Sequence, residues 1–263
     1  MVKVFDLNGK EVGEMKLPKT FSTDYRPDVI QRAVISIQSN RRQAYGTDVI
    51  AGQKTSAHYH GVRKGPHHMM NREMARNKRS HGSSPAQEMR ARASPHAVSG
   101  RRAHPPMVEK VWCQKINAKE KLLALKSALA ATCNFELVSK KHRIADIELP
   151  IIVTDEIQNV NKSKNLEKTI ESLKLIADVE RAKEKKVRAG KGKMRGRKYK
   201  RKKSILFVVS GNKGIVNAAK NMPGVDICDV KNINVELLAP GTHAGRLTIF
   251  DESSVKKLGE LYG

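Results

Sequence analysis

Apolar residues recur along this chain at spacings of two and of 3.6, and one long stretch obeys neither. Val2 to Asp6 reads as a short strand closed by a turn at Asn8-Gly9, followed by a polar connection through Pro18. Asp28 to Gln43 reads as a helix, with Val29, Ile30, Ala33, Val34 and Ile37 on one stripe and Gly46 ending it. From Arg41 to Pro106 apolar residues are sparse and show no sustained period, while Gly, Pro, Ser, His and Arg dominate. A stretch of 66 such residues is too long for an ordinary connection, so it is either disordered or functional.

Order resumes after Pro105-Pro106. Asn117 with Glu120 resembles a capping box that starts a helix through Leu122, Leu123, Leu125, Ala128 and Leu129. Leu149 to Thr154 predicts a strand, and Lys164 to Arg181 one helix carrying Leu166, Ile170, Leu173, Ile176 and Val179 on one face. Ser204 to Ser210 is the most apolar strand; Gly214 to Asn221 follows as a helix stopped before Pro223-Gly224. Val225 to Val230 predicts a strand, Asn234 to Leu238 a short helix and Leu247 to Phe250 a final strand, after which Ser254 caps a last helix. Strands alternating with helices predict an α/β fold: a three-layer, Rossmann-like parallel sheet with helices on both faces. The expected organisation is one globular domain from residues 1–40 and 107–263, with a long extended internal loop at 41–106 and a second basic extension at 181–203.

Charge changes the picture most where the periodicity fails. Residues 41–106 hold 13 Lys/Arg against 3 Asp/Glu, and residues 181–203 hold 14 against 1. Together they carry +23 of the formal +25, so the body is nearly neutral. Like charges packed this densely repel unless a polyanion neutralises them, and nucleic acid is the densest polyanion in a cell. RNA is favoured over duplex DNA, because arms without fixed structure suit an irregular folded RNA. The expected RNA contacts in the first stretch are Arg41, Arg42, Lys54, Arg72, Arg76, Lys78, Arg79, Arg90, Arg92, Arg101 and Arg102. In the second they are Arg188, Lys191, Lys193, Arg195, Arg197, Lys198, Lys200, Arg201, Lys202 and Lys203. Arginines fork onto phosphates bidentately, and the interleaved Gly190, Gly192 and Gly196 let the backbone approach closely.

Other chemistry is weaker. Aromatic residues make up only 4% of the chain, which counts against base-stacking platforms. No apolar run is long enough to span a bilayer, the N-terminus enters a strand-like run rather than a secretion signal, and a cytosolic setting is expected. Cys113, Cys133 and Cys228 form no CxxC pair, and Cys133 and Cys228 are expected to be buried. Seven of nine histidines lie in the first stretch, including His58-x-His60 and His67-His68, yet with neither Cys nor helical spacing beside them no metal site and no cofactor are expected. Ser210 to Gly214 follows a strand and opens a helix but lacks the full phosphate-loop pattern, so it reads as a tight turn. Asp155, Glu156, Asp229, Asp251 and Glu252 stand where an α/β enzyme places acids, though acids there also cap helices.

Four ordered motifs carry a resemblance across the whole chain. Gly100–Pro106 (GRRAHPP), Lys126–Thr132 (KSALAAT), Lys191–Tyr199 (KGKMRGRKY) leading into Ser204–Ser210, and Leu238–Gly241 with Gly245–Thr248 resemble the family of the universal fourth protein of the large ribosomal subunit, in its archaeal form. The resemblance implies a non-enzymatic, early-assembling binder of large-subunit ribosomal RNA with an α/β domain on the subunit surface. It also implies that the internal loop reaches the wall of the nascent-peptide exit tunnel, near a constriction shared with the twenty-second-protein family. A chain running out and back over 66 residues reaches about 100 Å when each leg is fully extended. The resemblance implies that Arg63, Lys64, Gly65, His67 and His68 fall at the tip and are expected to line the tunnel beside the nascent peptide. A His- and Met-rich stretch from His58 to Met70 replaces the Gly-Thr-Gly-Arg-Ala-Arg pattern of the bacterial branch. No membrane partner and no homo-oligomer are expected. The competing classes are an RNA-acting enzyme, a methyltransferase or nuclease using Asp155 or Asp251, and a protein that compacts duplex DNA.

Overall fold

Three strands of this protein, at Ile151–Val153, Leu206–Val209 and Thr248–Asp251, are buried along their whole length, which is what a sheet covered by helices on both faces demands. The computed structural model describes residues 1–82, 84–144 and 147–263; Ser83, within the first basic stretch, and Ala145 and Asp146 lie outside the described residues. Two units emerge, residues 1–40 with 114–263 and residues 41–113.

In the first unit, strands β1 (Val2–Phe5), β2 (Glu11–Met15), β3 (Ile151–Val153), β6 (Leu206–Val209), β7 (Asp226–Asp229) and β8 (Thr248–Asp251) form one sheet in the order β2-β1-β3-β8-β6-β7. All neighbours are parallel except β1 and β2, which pair as an antiparallel hairpin. Helices α1 (Pro27–Asn40), α2 (Ala118–Thr132), α3 (Phe135–Ser139), α4 (Ser163–Ser172), α5 (Ile176–Lys183), α6 (Ile215–Ala219), α7 (Val235–Leu238) and α8 (Glu252–Tyr262) complete the chain, with a second, two-stranded hairpin of β4 (Lys186–Val187) and β5 (Tyr199–Lys200).

Alternation along the strands splits the core. Ile152, Leu206, Val208 and Phe250 face one layer with Ile30, Val34, Leu125, Leu129 and Leu258. Ile151, Val153, Phe207, Val209 and Ile249 face the other with Leu166, Ile170, Val179 and Ile215. The expected α/β fold with a parallel sheet is therefore present, in three layers.

Several boundaries differ from expectation. The polar connection before Pro18 is strand β2, hidden from sequence reading because Glu11 to Glu14 are all exposed and show no apolar face. Helix α1 stops at Asn40 rather than Gln43, where Asn40 Oδ1 accepts from the Gln114 amide at 3.0 Å and Ser36 Oγ donates to the Gln114 carbonyl at 2.6 Å. Asn117 makes no side-chain cap, and the Glu120 carboxylate pairs with Arg32 at 3.0 Å. The single helix expected from Lys164 to Arg181 is two helices. Lys174 turns left-handed at φ +59°, the Leu175 amide bonds the Ile170 carbonyl and the Lys174 amide that of Glu171. That is a Schellman stop with lysine where glycine is usual, so the breaker was not visible. Asp251, not Ser254, caps α8, accepting the Ser254 amide at 2.6 Å.

The second unit is built from turns and two isolated bridges, His58 to Arg79 and Arg79 to Ala91, with no helix or longer strand among its described residues. Its legs begin side by side: the Thr47 amide bonds the Pro106 carbonyl, and Tyr45 stacks on Trp112 at 5.6 Å. Among its described residues only Ala57 and Met69 are buried apolar side chains.

Candidate nucleic-acid interface

The second basic stretch folds as a twisted hairpin whose base is locked and whose tip is free. Helix α5 delivers Asp178 and Arg181 to the base, one turn apart. The fully buried Asp178 carboxylate accepts from His142 Nδ1 at 2.9 Å, Ser204 Oγ at 2.6 Å, the Arg143 amide at 3.1 Å and Arg181 Nε at 2.8 Å. Burial pushes this carboxyl up, but the hydrogen bonds from His142, Arg181 and Ser204 together outweigh it and hold it well below the usual carboxylate range. Arg181 Nη2 also donates to the Lys203 carbonyl at 2.8 Å, pinning the returning leg. Arg181 thus serves the base of the stretch rather than its cationic surface.

Beyond the base, Lys186 and Val187 pair with Lys200 and Tyr199, and Arg188 Nε donates to the Arg197 carbonyl at 3.0 Å. Gly190 and Gly196 take φ +79° and +78°, a region open to glycine, with nothing within 4 Å of where a Cβ would stand. Lys191, Lys193, Arg195, Arg197, Lys198, Lys200 and Arg201 are exposed, and none meets a carboxylate among the described residues. Two expected contacts are already engaged: Lys202 pairs with Glu184 at 3.2 Å and Lys203 with Asp226 at 2.8 Å.

Asp226 has a second partner. Arg246, only 1% exposed, donates through Nη2 to Asp226 at 2.6 Å and through Nε and Nη1 to the carbonyls of Ser204 and Leu237 at 2.9 and 3.0 Å. Burial lowers the Arg246 pKa, while the Asp226 charge opposes that shift. This buried arginine is a strut beneath the hairpin.

In the first basic stretch Arg41, Arg42, Arg72, Arg76, Lys78, Arg90 and Arg102 are exposed, and Arg92 and Arg101 half-buried. The Arg42 guanidinium lies 3.8 Å over the Trp112 ring, with Lys110 at 4.5 Å, a cation–π neck that sequence reading missed. Lys54 pairs with Asp48. Arg79 is structural within the stretch, donating to the carbonyls of Met89 and Ala75 at 2.9 and 3.0 Å. Arg63, Lys64 and Gly65 are exposed, while His67 and His68 are half-buried, His67 facing Glu88 at 3.4 Å.

Two of the acids at the strand ends, Asp251 and Asp155, are occupied by neighbouring amides. Asp251 spends both oxygens on the amides of Ser254 and Ser210 and on Gln158 Nε2, and Asp155 accepts from the Ser253 amide at 3.0 Å. The Ser210 to Gly214 turn is held by Asp251 and by Asn212, whose Oδ1 accepts the Gly214 amide, so its amides do not converge on a phosphate. A Ser–Asp–His group does exist, but Asp178 sits between Ser204 and His142, which leaves no base on the serine. Cys228 is buried and Cys133 half-buried, and burial pushes both thiols up to about 11, whereas Cys113 is exposed. No helix among the described residues is long and apolar enough to cross a membrane.

Comparison with known proteins agrees with this geometry. Residues 15–261 match the model of the ribosomal protein L4/L1 family. A relative named large ribosomal subunit protein uL4 from Archaeoglobus fulgidus is 48% identical over 259 residues, covering 98% of both chains. Relatives of the same name from Methanosphaera stadtmanae and Methanothrix thermoacetophila are 45% and 44% identical, over 99% and 98% of this chain and 97% and 98% of their own. With residues 15–261 matched by the family model and relatives of 44–48% identity covering nearly the full length, the chain belongs to the ribosomal protein L4/L1 family and is a structural ribosomal protein, not an enzyme.

Proposed function

We propose that this chain binds large-subunit ribosomal RNA through both basic stretches and supports early assembly of the subunit. The loop at 41–106 penetrates the RNA, and its segment around Arg63, Lys64, Gly65, His67 and His68 lines the exit tunnel. The nascent peptide and a protein of the twenty-second family at the constriction are its neighbours there, in the cytoplasmic ribosome.

One observation carries the RNA reading: a hairpin whose base is pinned by Asp178 and Arg181 presents a row of exposed cations without internal counter-charge. Rigid cations pre-aimed at a backbone lose less entropy on binding than a disordered tail does. The first stretch adds a second argument. Its residues His67, Met89, Ala93 and Ser99, neither glycine nor asparagine, have positive φ, each costing about 1–2 kcal/mol. With only two buried apolar side chains among its described residues, Ala57 and Met69, that backbone calls for support from a partner.

The test is the salt dependence of binding between the full chain and large-subunit ribosomal RNA. Replacing Lys191, Lys193, Arg195, Arg197 and Lys198 by glutamine should weaken binding and flatten the slope of log K on log salt by about 0.7–0.9 per lost phosphate contact. An unchanged slope would remove the hairpin from the interface. Crosslinking from residues 63–68 to a stalled nascent peptide tests the tunnel assignment separately; crosslinks confined to RNA would overturn it.

A further inference from the structure

Four histidines gather within the second unit, from three separate places in the sequence. One ring nitrogen each from His58, His60 and His81 lies within 4.8 Å of the others, and His60 Nε2 and His81 Nε2 are 2.8 Å apart. Backbone pairing makes the meeting: Arg79 bridges His58, and its amide bonds the His58 carbonyl at 3.1 Å, so residues 58–60 and 79–81 run alongside one another. In an extended chain residues two apart share a side, which puts His58 and His60 together. The His67 ring lies 4.5 Å from that of His81 and faces Glu88.

This is not a stacking platform. The ring planes of His58, His60 and His81 are inclined to one another by 42°, 58° and 88°, so no common face is offered to a base. Their nitrogens converge instead.

We propose that His58, His60 and His81 form a binding site for a zinc-class divalent cation that staples the two legs of the basic stretch together. Zinc–nitrogen bonds of about 2.0–2.1 Å in a tetrahedron place ligand nitrogens about 3.3 Å apart. To reach that spacing the His60 and His81 nitrogens, now 2.8 Å apart, open by about 0.5 Å and the widest separation, at most 4.8 Å, closes by about 1.5 Å, shifts that small side-chain rotations supply. An all-imidazole set selects zinc, copper or nickel over magnesium or calcium, which take oxygen. His58 and His81 are exposed, so the fourth position opens outward, toward water or a phosphate oxygen of RNA. The Glu88 carboxylate beside His67 offers a compensating charge.

The experiment uses the purified full chain and zinc ion in competition with a chromophoric chelator, with cobalt(II) as a spectroscopic substitute. One zinc per chain is expected, with a tetrahedral cobalt spectrum lacking thiolate charge-transfer bands. His60→Asn and His81→Asn should each weaken binding by at least about tenfold, while Cys113→Ser and His104→Asn leave it unchanged. Thermal unfolding of each variant checks that the α/β unit remains folded. Full stoichiometry retained in the His60→Asn/His81→Asn double variant would overturn the proposal. So would thiolate bands in the cobalt spectrum, or binding only at millimolar zinc.

Discussion

Asp178 and Arg181 form an ion pair of 2.8 Å within one turn of α5, and from it Arg181 reaches on to the Lys203 carbonyl. The pair thus sits between the core and the hairpin. Removing the carboxylate leaves His142, Ser204 and Arg181 without their common acceptor, so Asp178→Ala should cost about 3–5 kcal/mol, read from the urea midpoint.

The same carboxylate sets an acid limit. Its folded pKa is held below the unfolded value of about 3.9. A depressed carboxyl contributes stability fully present above the unfolded value and lost as pH falls below it. Unfolding midpoints measured from pH 5 down to pH 2 should therefore fall less steeply in Asp178→Asn than in the parent chain. Equal slopes would show that another carboxyl governs acid unfolding.

Arg246 separates structural from nucleic-acid-binding arginines. Arg246→Leu should destabilise by about 3–5 kcal/mol, since Asp226 and the carbonyls of Ser204 and Leu237 lose their donor. RNA affinity of the folded fraction should stay unchanged. Arg197→Gln should do the reverse, leaving the thermal midpoint in place while weakening RNA binding at low salt.

Gly245 sits at φ +88°, and a Cβ there would stand 2.8 Å from the backbone carbonyl of Leu137. Gly245→Ala should cost more than the 1–2 kcal/mol typical of a left-handed non-glycine residue. Gly13→Ala, with nothing within 4 Å, serves as the control and should be nearly neutral in calorimetry.

Thiol chemistry reports on the fold without any substitution. At neutral pH iodoacetamide should label exposed Cys113 first, with Cys133 and Cys228, buried to different degrees and pushed up to about 11, reacting only on unfolding. Mass spectrometry of native and urea-treated protein reads the order directly.

What the sequence made legible follows from where side chains are buried. Strands β3, β6 and β8 could be read because both their faces are apolar, and α1 because its stripe is regular. Strand β2 could not, since its residues up to Glu14 are exposed, and the break between α4 and α5 was hidden because Lys174 carries the left-handed turn. The two cationic stretches were plain from composition. Their internal order was not: the histidine cluster joins residues 21 apart, and Asp178 meets partners 36 and 26 residues away. Such meetings are made by the fold, and no local spacing announces them.

The bonds from Asn40 and Ser36 to Gln114 close the neck of the first basic stretch within the α/β unit itself. The stretch is therefore a loop with fixed ends rather than a pair of tails. The closure entropy of such a loop grows only logarithmically, so doubling its length would cost the body about 0.6 kcal/mol. Insertions and deletions beyond the neck are thereby nearly free of folding consequences, and the length of the loop is open to be set by the partner it enters.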